Sequence, residues 1–412
     1  MMNFLKYSAQ EPMQILRKKF NNGEQINKNI PTSVTVQAAM EDVCYVEYVI
    51  KNAYSGYSYY DEAQFERAFE SLKNKVSHMT EDVKSEKLVD MFAEELSFIS
   101  DGHLAFTAND YGKGFYKKLQ TYVADCLLCE ENGCFFDILS GKRVLFSADI
   151  RVFPTIPKNG KKHYLLGVRS KEPVKEIQVN IDDLPVVLPV RKIRSEGRND
   201  AILKESYEDG IAVICCSDFV GDKEEDLKKF YEVGRKCSNY RHVIWDLSNN
   251  LGGNSEFAKS FLTGLDGGYI DTSNTLELKS SLVFAKETGK IKTIPYSLEQ
   301  FLSDTAYEAG CFCGKLHVII NDQVASSAEL AIVMARQIPT TTFYGCNSLG
   351  IGRFGDLCIY YLPNTHIVLW CPQKVFDAGI IEEVGFEPDY WIDNENPVSA
   401  VIAFINEQES NR

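Results

Sequence analysis

With 412 residues, 44% of them hydrophobic, 25% charged and 12% aromatic, the chain has the composition of an ordinary globular protein. It is long enough for two or three domains, and collagen-like, low-complexity and disordered classes are excluded. A formal net charge of −14 supplies no positive field to neutralise phosphates, which argues against nucleic acid and anionic membrane as partners.

In chain order, the opening "MMNFLKYSAQEPMQIL" places Gln, Glu and Pro where a signal peptide keeps an apolar core. Read with twelve cysteines, better taken as reduced thiols than as a disulfide framework, this predicts a cytoplasmic protein unless a leader is missing. From about Thr35 to Ile99, "VQAAMEDVCYVEYVIKNA", "DEAQFERAFESLKNKVSHM" and "EDVKSEKLVDMFAEELSFI" space apolar residues three and four apart. That spacing predicts three helices, the second opening at Tyr60–Asp61 and the third at Thr80–Glu81. Residues 1–104 are thus expected to form a helical domain that carries the segment Asp101–Gly102–His103. Residues 105–205 read as a β-rich module, with "CFFDILS", "KRVLFSA", "HYLLGV", "EIQVNI" and "PVVLPVR" separated by turn residues. The charged stretch "RSEGRNDAILKESYEDG" marks its end.

Residues 206–412 alternate apolar strands with amphipathic helices: "IAVICC", "KEEDLKKFYEVGRKC", "HVIWDL", "SEFAKSFLTGL", "KLHVII", "SAELAIVMARQI" and "TTTFYG". The pattern predicts an α/β domain on a largely parallel sheet, whose sites collect at the carboxyl ends of the strands. No window is apolar for long enough to span a membrane.

Four stretches carry groups with chemistry. In "VIWDLSNNLGGNS", Gly252 and Gly253 follow a strand, where they serve a tight turn or turn backbone N–H groups toward an anion. In "VIINDQVASSAELAIVMARQ", Ser326 begins a helix. Ser326-Ser327-Ala328-Glu329 fits a capping box, yet the same position favours an alkoxide-like nucleophile through the helix dipole. In "FISDGHLAFT", His103 follows a turn dipeptide. Of the other histidines, His317 and His366 lie in apolar strands, His163 and His242 at strand starts, and His78 on a helix. In "GIIEEVGFEPDYWID", Glu382 and Glu383 precede a glycine and Pro388–Asp389, which alone reads as a charged turn. Cys126, Cys129 and Cys134 lack a fourth ligand and knuckle turns, so a zinc site is disfavoured.

Taken in order, these stretches resemble the serine peptidase family that includes the C-terminal processing (tail-specific) proteases, the tricorn core protease and the repeats of interphotoreceptor retinoid-binding protein. The carriers of the resemblance are Asp101–Gly102–His103, the run Asp246 to Gly253, Ser326-Ser327-Ala328-Glu329, and Glu382 to Asp389. The resemblance implies a crotonase/ClpP-like αβ peptidase core in which Ser326 is the nucleophile. Gly252, Gly253 and the N–H of Ser327 would then form the oxyanion hole. The lysine of one branch is absent, with Ile351 in its place, and Arg353 stays protonated and cannot act as base. The histidine-using, tricorn-like branch implies His103 as general base and Glu382 as the carboxylate that orients it. Ser248 replaces the usual arginine, and the β-rich module shows no clear peptide-tail-binding PDZ loop.

The expected function is serine-type hydrolysis of peptides or unfolded proteins through an acyl-enzyme, with no metal and no cofactor. The alternative is a catalytically silent binder of a peptide or apolar ligand. A homo-oligomer stays open.

Overall fold

The structure, a computed structural model, describes residues 30–194, 202–208, 210–221, 224–268, 276–280, 298–302, 310–376 and 379–410. The three N-terminal helices form where the apolar spacing places them, at Val36–Ala53, Glu62–Ser77 and Ser85–Glu95. Thr35 caps the first by accepting the Ala38 N–H, and Asp61 caps the second by accepting the Ala63 N–H. The third starts later than Thr80–Glu81, because Val83–Lys84 is drawn into an antiparallel ladder with Ser33–Val34. Tertiary pairing here overrides a local start signal. The inward stripes, among them Val46, Ile50, Phe65, Phe69, Leu88 and Phe92, share one core with Leu104, Phe106 and Leu369. Phe92 stacks on Phe106 with ring centroids 4.6 Å apart.

These helices belong to the first of two compact units, which takes residues up to Tyr116 together with Glu277–Phe301 and Phe354–Phe376. Its sheet contains Asp101–Ala108 between Tyr111–Phe115 and Val368–Phe376, with Phe354–Tyr361 pairing the last. Asp101–Gly102–His103 therefore opens a strand. His366 sits in a turn with φ 56° and not in a strand. Asp42 on the first helix holds that turn by accepting the N–H groups of Asn364 and Thr365 at 2.9 and 2.8 Å.

The second unit takes Lys117–Leu276, Leu302–Arg353 and Asp377–Arg412. Its centre is the expected parallel sheet, in the order Ile211–Cys215, His242–Asp246, Lys315–Ile320, Thr341–Gly345 and Tyr390–Trp391. The α/β fold class read from the alternation is the one observed. His242–Asp246 is buried at every position, as a strand covered on both faces must be. The helix Ser327–Ala335 is apolar nearly all round and mostly buried.

Strands of the β-rich region extend this same sheet through a bridge between Thr155 and Trp391. Leu184–Lys192 pairs both Glu176–Ile181 and Gln120–Glu131, closing a ring of five strands. The ring surrounds a core that includes Leu128, Val144, Ile177 and Val179. In the charged stretch read as the end of that region, residues 195–201 and 209 lie outside the described residues, while Lys204–Glu208 forms the far edge of the sheet. Among the described residues no helix is long and apolar enough to cross a membrane.

Candidate active site

Two loops leave the carboxyl ends of the adjacent parallel strands His242–Asp246 and Lys315–Ile320. The first is shaped by its own side chains. Asp246 accepts the Ser248 N–H at 2.9 Å, and buried Asn250 accepts the Gly252 N–H at 2.9 Å while donating to the Cys216 carbonyl at 3.1 Å. Gly252 and Gly253 hold φ 97° and 121°. A Cβ on Gly252 would lie 2.7 Å from the Ala325 carbonyl and 2.8 Å from the Ser327 nitrogen. Glycine is thus required here for conformation and for close approach.

The second loop is strapped to the first. The Ala325 N–H donates to the Asn250 carbonyl at 3.0 Å, and the Ser327 hydroxyl donates to the Gly253 carbonyl at 2.7 Å. Gly253 is bridged to Phe219 through its neighbours: Phe219 N–H donates to the Gly252 carbonyl and Asn254 N–H to the Phe219 carbonyl. That pattern leaves the N–H groups of Gly253 and Ser327 without acceptors among the described residues. The structure therefore gathers Ser326, Ser327, Gly252 and Gly253 in one place, with the Gly252 N–H directed into Asn250.

Ser326 does not cap its helix through its side chain. It adopts φ 52° and ψ −123°, and its hydroxyl makes no cap hydrogen bond. This is the mirror image of polyproline-like backbone, which an L side chain enters only under strain. A strained serine between a strand end and a helix is the geometry of a nucleophile elbow. The capping-box reading therefore fails at the Ser326 side chain, and Glu329 has further partners besides. Its carboxylate accepts the Ser348 hydroxyl at 2.5 Å and the N–H groups of Gly350 and Ile351 at 2.9 Å each. The backbone N–H of Ser326 also acts on this carboxylate, so only the reach-back half of the box survives. Burial pushes the Glu329 carboxyl up to about 7, opposed first by the Ser348 hydroxyl and then by the backbone N–H groups.

In the segment Glu382 to Asp389 the two acidic neighbours differ. Glu382 accepts the Arg353 N–H at 3.0 Å. Glu383 is buried at φ 65°, accepts the Lys117 N–H at 3.0 Å and pairs with Lys171. His103 stands in the first unit on the strand Asp101–Ala108. The buried Asp101 carboxylate fixes its backbone by accepting the N–H groups of His103 and Leu104 at 2.8 and 3.2 Å. Burial pushes the His103 imidazole down to about 4 and the Asp101 carboxyl up to about 6.

Sequence reasoning gave no separate role to Asn249, Asn250, Asn321 and Ser348, whose side chains hold these loops in place. The signal for the asparagines was their position in the polar turns that follow two buried strands.

A strained serine at a strand-to-helix turn, facing a double-glycine loop, is a construction of hydrolytic enzymes on α/β sheets. Residues 210–390, which hold three of the four motifs, match the model of Peptidase family S41; the match supports the resemblance over that range, and Asp101–Gly102–His103 lies outside it. Solved structures that it is similar to include mature CPAF, at 12% identity and TM-score 0.49 over 90% of this chain and 98% of that one. The photosystem II D1 C-terminal processing protease is similar at 10% identity and TM-score 0.43, over 86% of this chain and 93% of that one. The tricorn protease is similar at 12% identity and TM-score 0.44, over 90% of this chain and 37% of that one. No curated protein matches the chain.

Proposed function

We propose that the protein is a serine-type peptide hydrolase that works through an acyl-enzyme on Ser326. The observation that carries this reading is the strained Ser326 backbone, with its hydroxyl withheld from the helix cap, beside two N–H groups that have no acceptor among the described residues. Ser326 Oγ attacks the peptide carbonyl carbon and its proton passes to His103, the base implied by the family resemblance. The His103 imidazole is neutral at pH 7, because burial holds it down to about 4, so it has a lone pair to accept that proton. The developing oxyanion is received by the N–H groups of Gly253 and Ser327, while Gly252 and Asn250 shape the loop that presents them. Collapse of the tetrahedral intermediate breaks the C–N bond, and the imidazolium gives its proton to the departing amine. Water then repeats the cycle on the ester and frees Ser326. Glu382 is assigned the orienting role that the family resemblance implies, while Glu383 is held by the Lys117 N–H and the Lys171 ammonium.

Fluorophosphonate labelling tests this directly. Labelling of the parent that is lost in both Ser326→Ala and His103→Ala is expected. Equal labelling of Ser326→Ala and parent would remove Ser326 from the chemistry.

A further inference from the structure

Asn249 and Asn321, one on each of the two loops, hold each other by both ends. The Asn249 N–H donates to Asn321 Oδ1 at 3.0 Å, and Asn321 Nδ2 donates to Asn249 Oδ1 at 2.9 Å. Asn321 Oδ1 accepts a second backbone N–H, that of Gln323, at 3.1 Å. Two N–H donors converging on one atom require it to be the amide oxygen, which fixes the amide nitrogen toward Asn249. Asn321 is buried, and Asn249 sits at φ 66°, a left-handed conformation that asparagine tolerates better than most residues. From this pair the chain runs four residues to Gly253 on one side and five to Ser326 on the other.

We infer that Asn249 and Asn321 are positioning residues: a reciprocal amide clamp that sets the distance between the nucleophile and the oxyanion donors. The inference rests on Ser326 being the nucleophile. The clamp acts on the transition state because the Gly253 and Ser327 N–H groups must meet an oxygen bound to the carbon that Ser326 attacks. A loop shift of an ångström misplaces those donors while leaving substrate contacts elsewhere unchanged.

The two ends of the clamp respond differently to substitution. Asn321→Asp keeps the oxygen that receives the two N–H groups but sets a second oxygen against Asn249 Oδ1. At acid pH that oxygen gains a proton and becomes a donor again. Asn321→Ala loses both functions at every pH. Asn249→Asp keeps an acceptor for Asn321 and tolerates the left-handed backbone, whereas Asn249→Ala does neither.

The test is the rate constant for fluorophosphonate labelling of the full-length protein, expressed as the ratio of variant to parent at pH 7.5 and pH 5. At pH 7.5 we expect Asn321→Asp, Asn321→Ala and Asn249→Ala to fall by about 10- to 100-fold and Asn249→Asp to stay within about threefold. At pH 5 the Asn321→Asp ratio recovers several-fold while the Asn321→Ala ratio stays flat. A general loss of folding does not produce that split. Ratios within about twofold of parent for Asn321→Ala, parallel pH behaviour of the two Asn321 variants, or collapse of Asn249→Asp would each overturn the clamp. Parent labelling that survives in Ser326→Ala overturns the underlying serine reading instead, and is seen before any clamp variant is made.

Discussion

Ser348 gives its hydroxyl proton to Glu329 at 2.5 Å and accepts the Phe386 N–H at 2.7 Å, so one small side chain ties the helix Ser327–Ala335 to the segment that carries Glu382 and Glu383. Glu329 is fully buried, and burial raises its carboxyl to about 7, with the Ser348 hydroxyl the foremost group opposing it. In the unfolded chain the same carboxyl titrates near 4.5, its ordinary value. Between those two values the folded protein keeps a proton that the unfolded chain releases. The free energy of unfolding therefore falls as pH rises through that window and levels off above it. Glu329→Gln cannot titrate. Urea unfolding of both proteins at pH 4.5, 6 and 8 is expected to show the parent losing ground relative to the variant as pH rises. A difference independent of pH would mean that the folded carboxyl is not held up by its surroundings.

The backbone of Ser326 makes a second, separable prediction. At φ 52° and ψ −123° a β-carbon is strained at a cost of roughly 1–3 kcal/mol, whereas glycine enters freely and returns part of the gain through its floppier unfolded state. Both Ser326→Ala and Ser326→Gly are expected to be inactive. Only Ser326→Gly sheds the strain, so it is expected to exceed Ser326→Ala in stability by about 1 kcal/mol in denaturant titration. If the alanine variant proves the more stable, the serine is not strained and the elbow reading loses its physical basis.

How much of this was legible beforehand depends on whether a feature is local. The buried strands His242–Asp246 and Lys315–Ile320 announce themselves as continuous apolar runs, and the helix Val36–Ala53 announces itself by its spacing. The destination of Glu329 was not legible, because Ser326 and Glu329 satisfy a capping box and a catalytic loop with the same residues. Only Ser348, Gly350 and Ile351, brought close by the neighbouring strand, decide between the two. His366 was misplaced in a strand for a similar reason. Its turn is held by Asp42, a partner from a distant helix that no window of sequence contains.

The two glycines of the first loop are expected to fail differently. A Cβ on Gly252 meets the Ala325 carbonyl, the Ser327 nitrogen and, at 3.0 Å, Ser326 Cβ. Gly252→Ala therefore pushes the loop that carries Ser326. A Cβ on Gly253 meets the Phe219 carbonyl at 2.4 Å, so Gly253→Ala pushes the loop off its bridge and turns away the N–H assigned to the oxyanion. We expect each to lower kcat/KM on a peptide substrate by about 100-fold or more, and Gly252→Ala also to slow phosphonate labelling. Both also place alanine at positive φ and lose about 1–3 kcal/mol of stability. Full activity in Gly253→Ala would exclude its N–H from the oxyanion hole.

Acid sensitivity is expected from a cluster on the core sheet that the proposed chemistry does not use. His242 Nδ1 lies 3.1 Å from His317 Nε2, His317 Nδ1 lies 3.1 Å from the Tyr344 hydroxyl, and His242 Nε2 lies 3.4 Å from Glu409 Oε1. One neutral assignment satisfies the row. His242 gives its Nε2 proton to Glu409, His317 gives its Nε2 proton to His242, and Tyr344 gives its proton to His317. Burial pushes the His317 imidazole down to about 3, helped by the charges of His242 and Lys315. It lowers His242 as well, against the pull of Glu409. Arg241 and Lys315 add positive charge around the pair, which further disfavours protonation. A depressed histidine contributes stability that is fully present above its unfolded value of 6.5 and is lost as pH falls toward 3. His317→Phe leaves Tyr344 and His242 short of a partner, so it is expected to be less stable than the parent at pH 7.5. Having no proton to take up, it is also expected to lose less on acidification. Thermal or urea unfolding at pH 7.5, 6 and 4.5 reads both effects, and equal slopes for the two proteins would show that the buried pair does not titrate with unfolding.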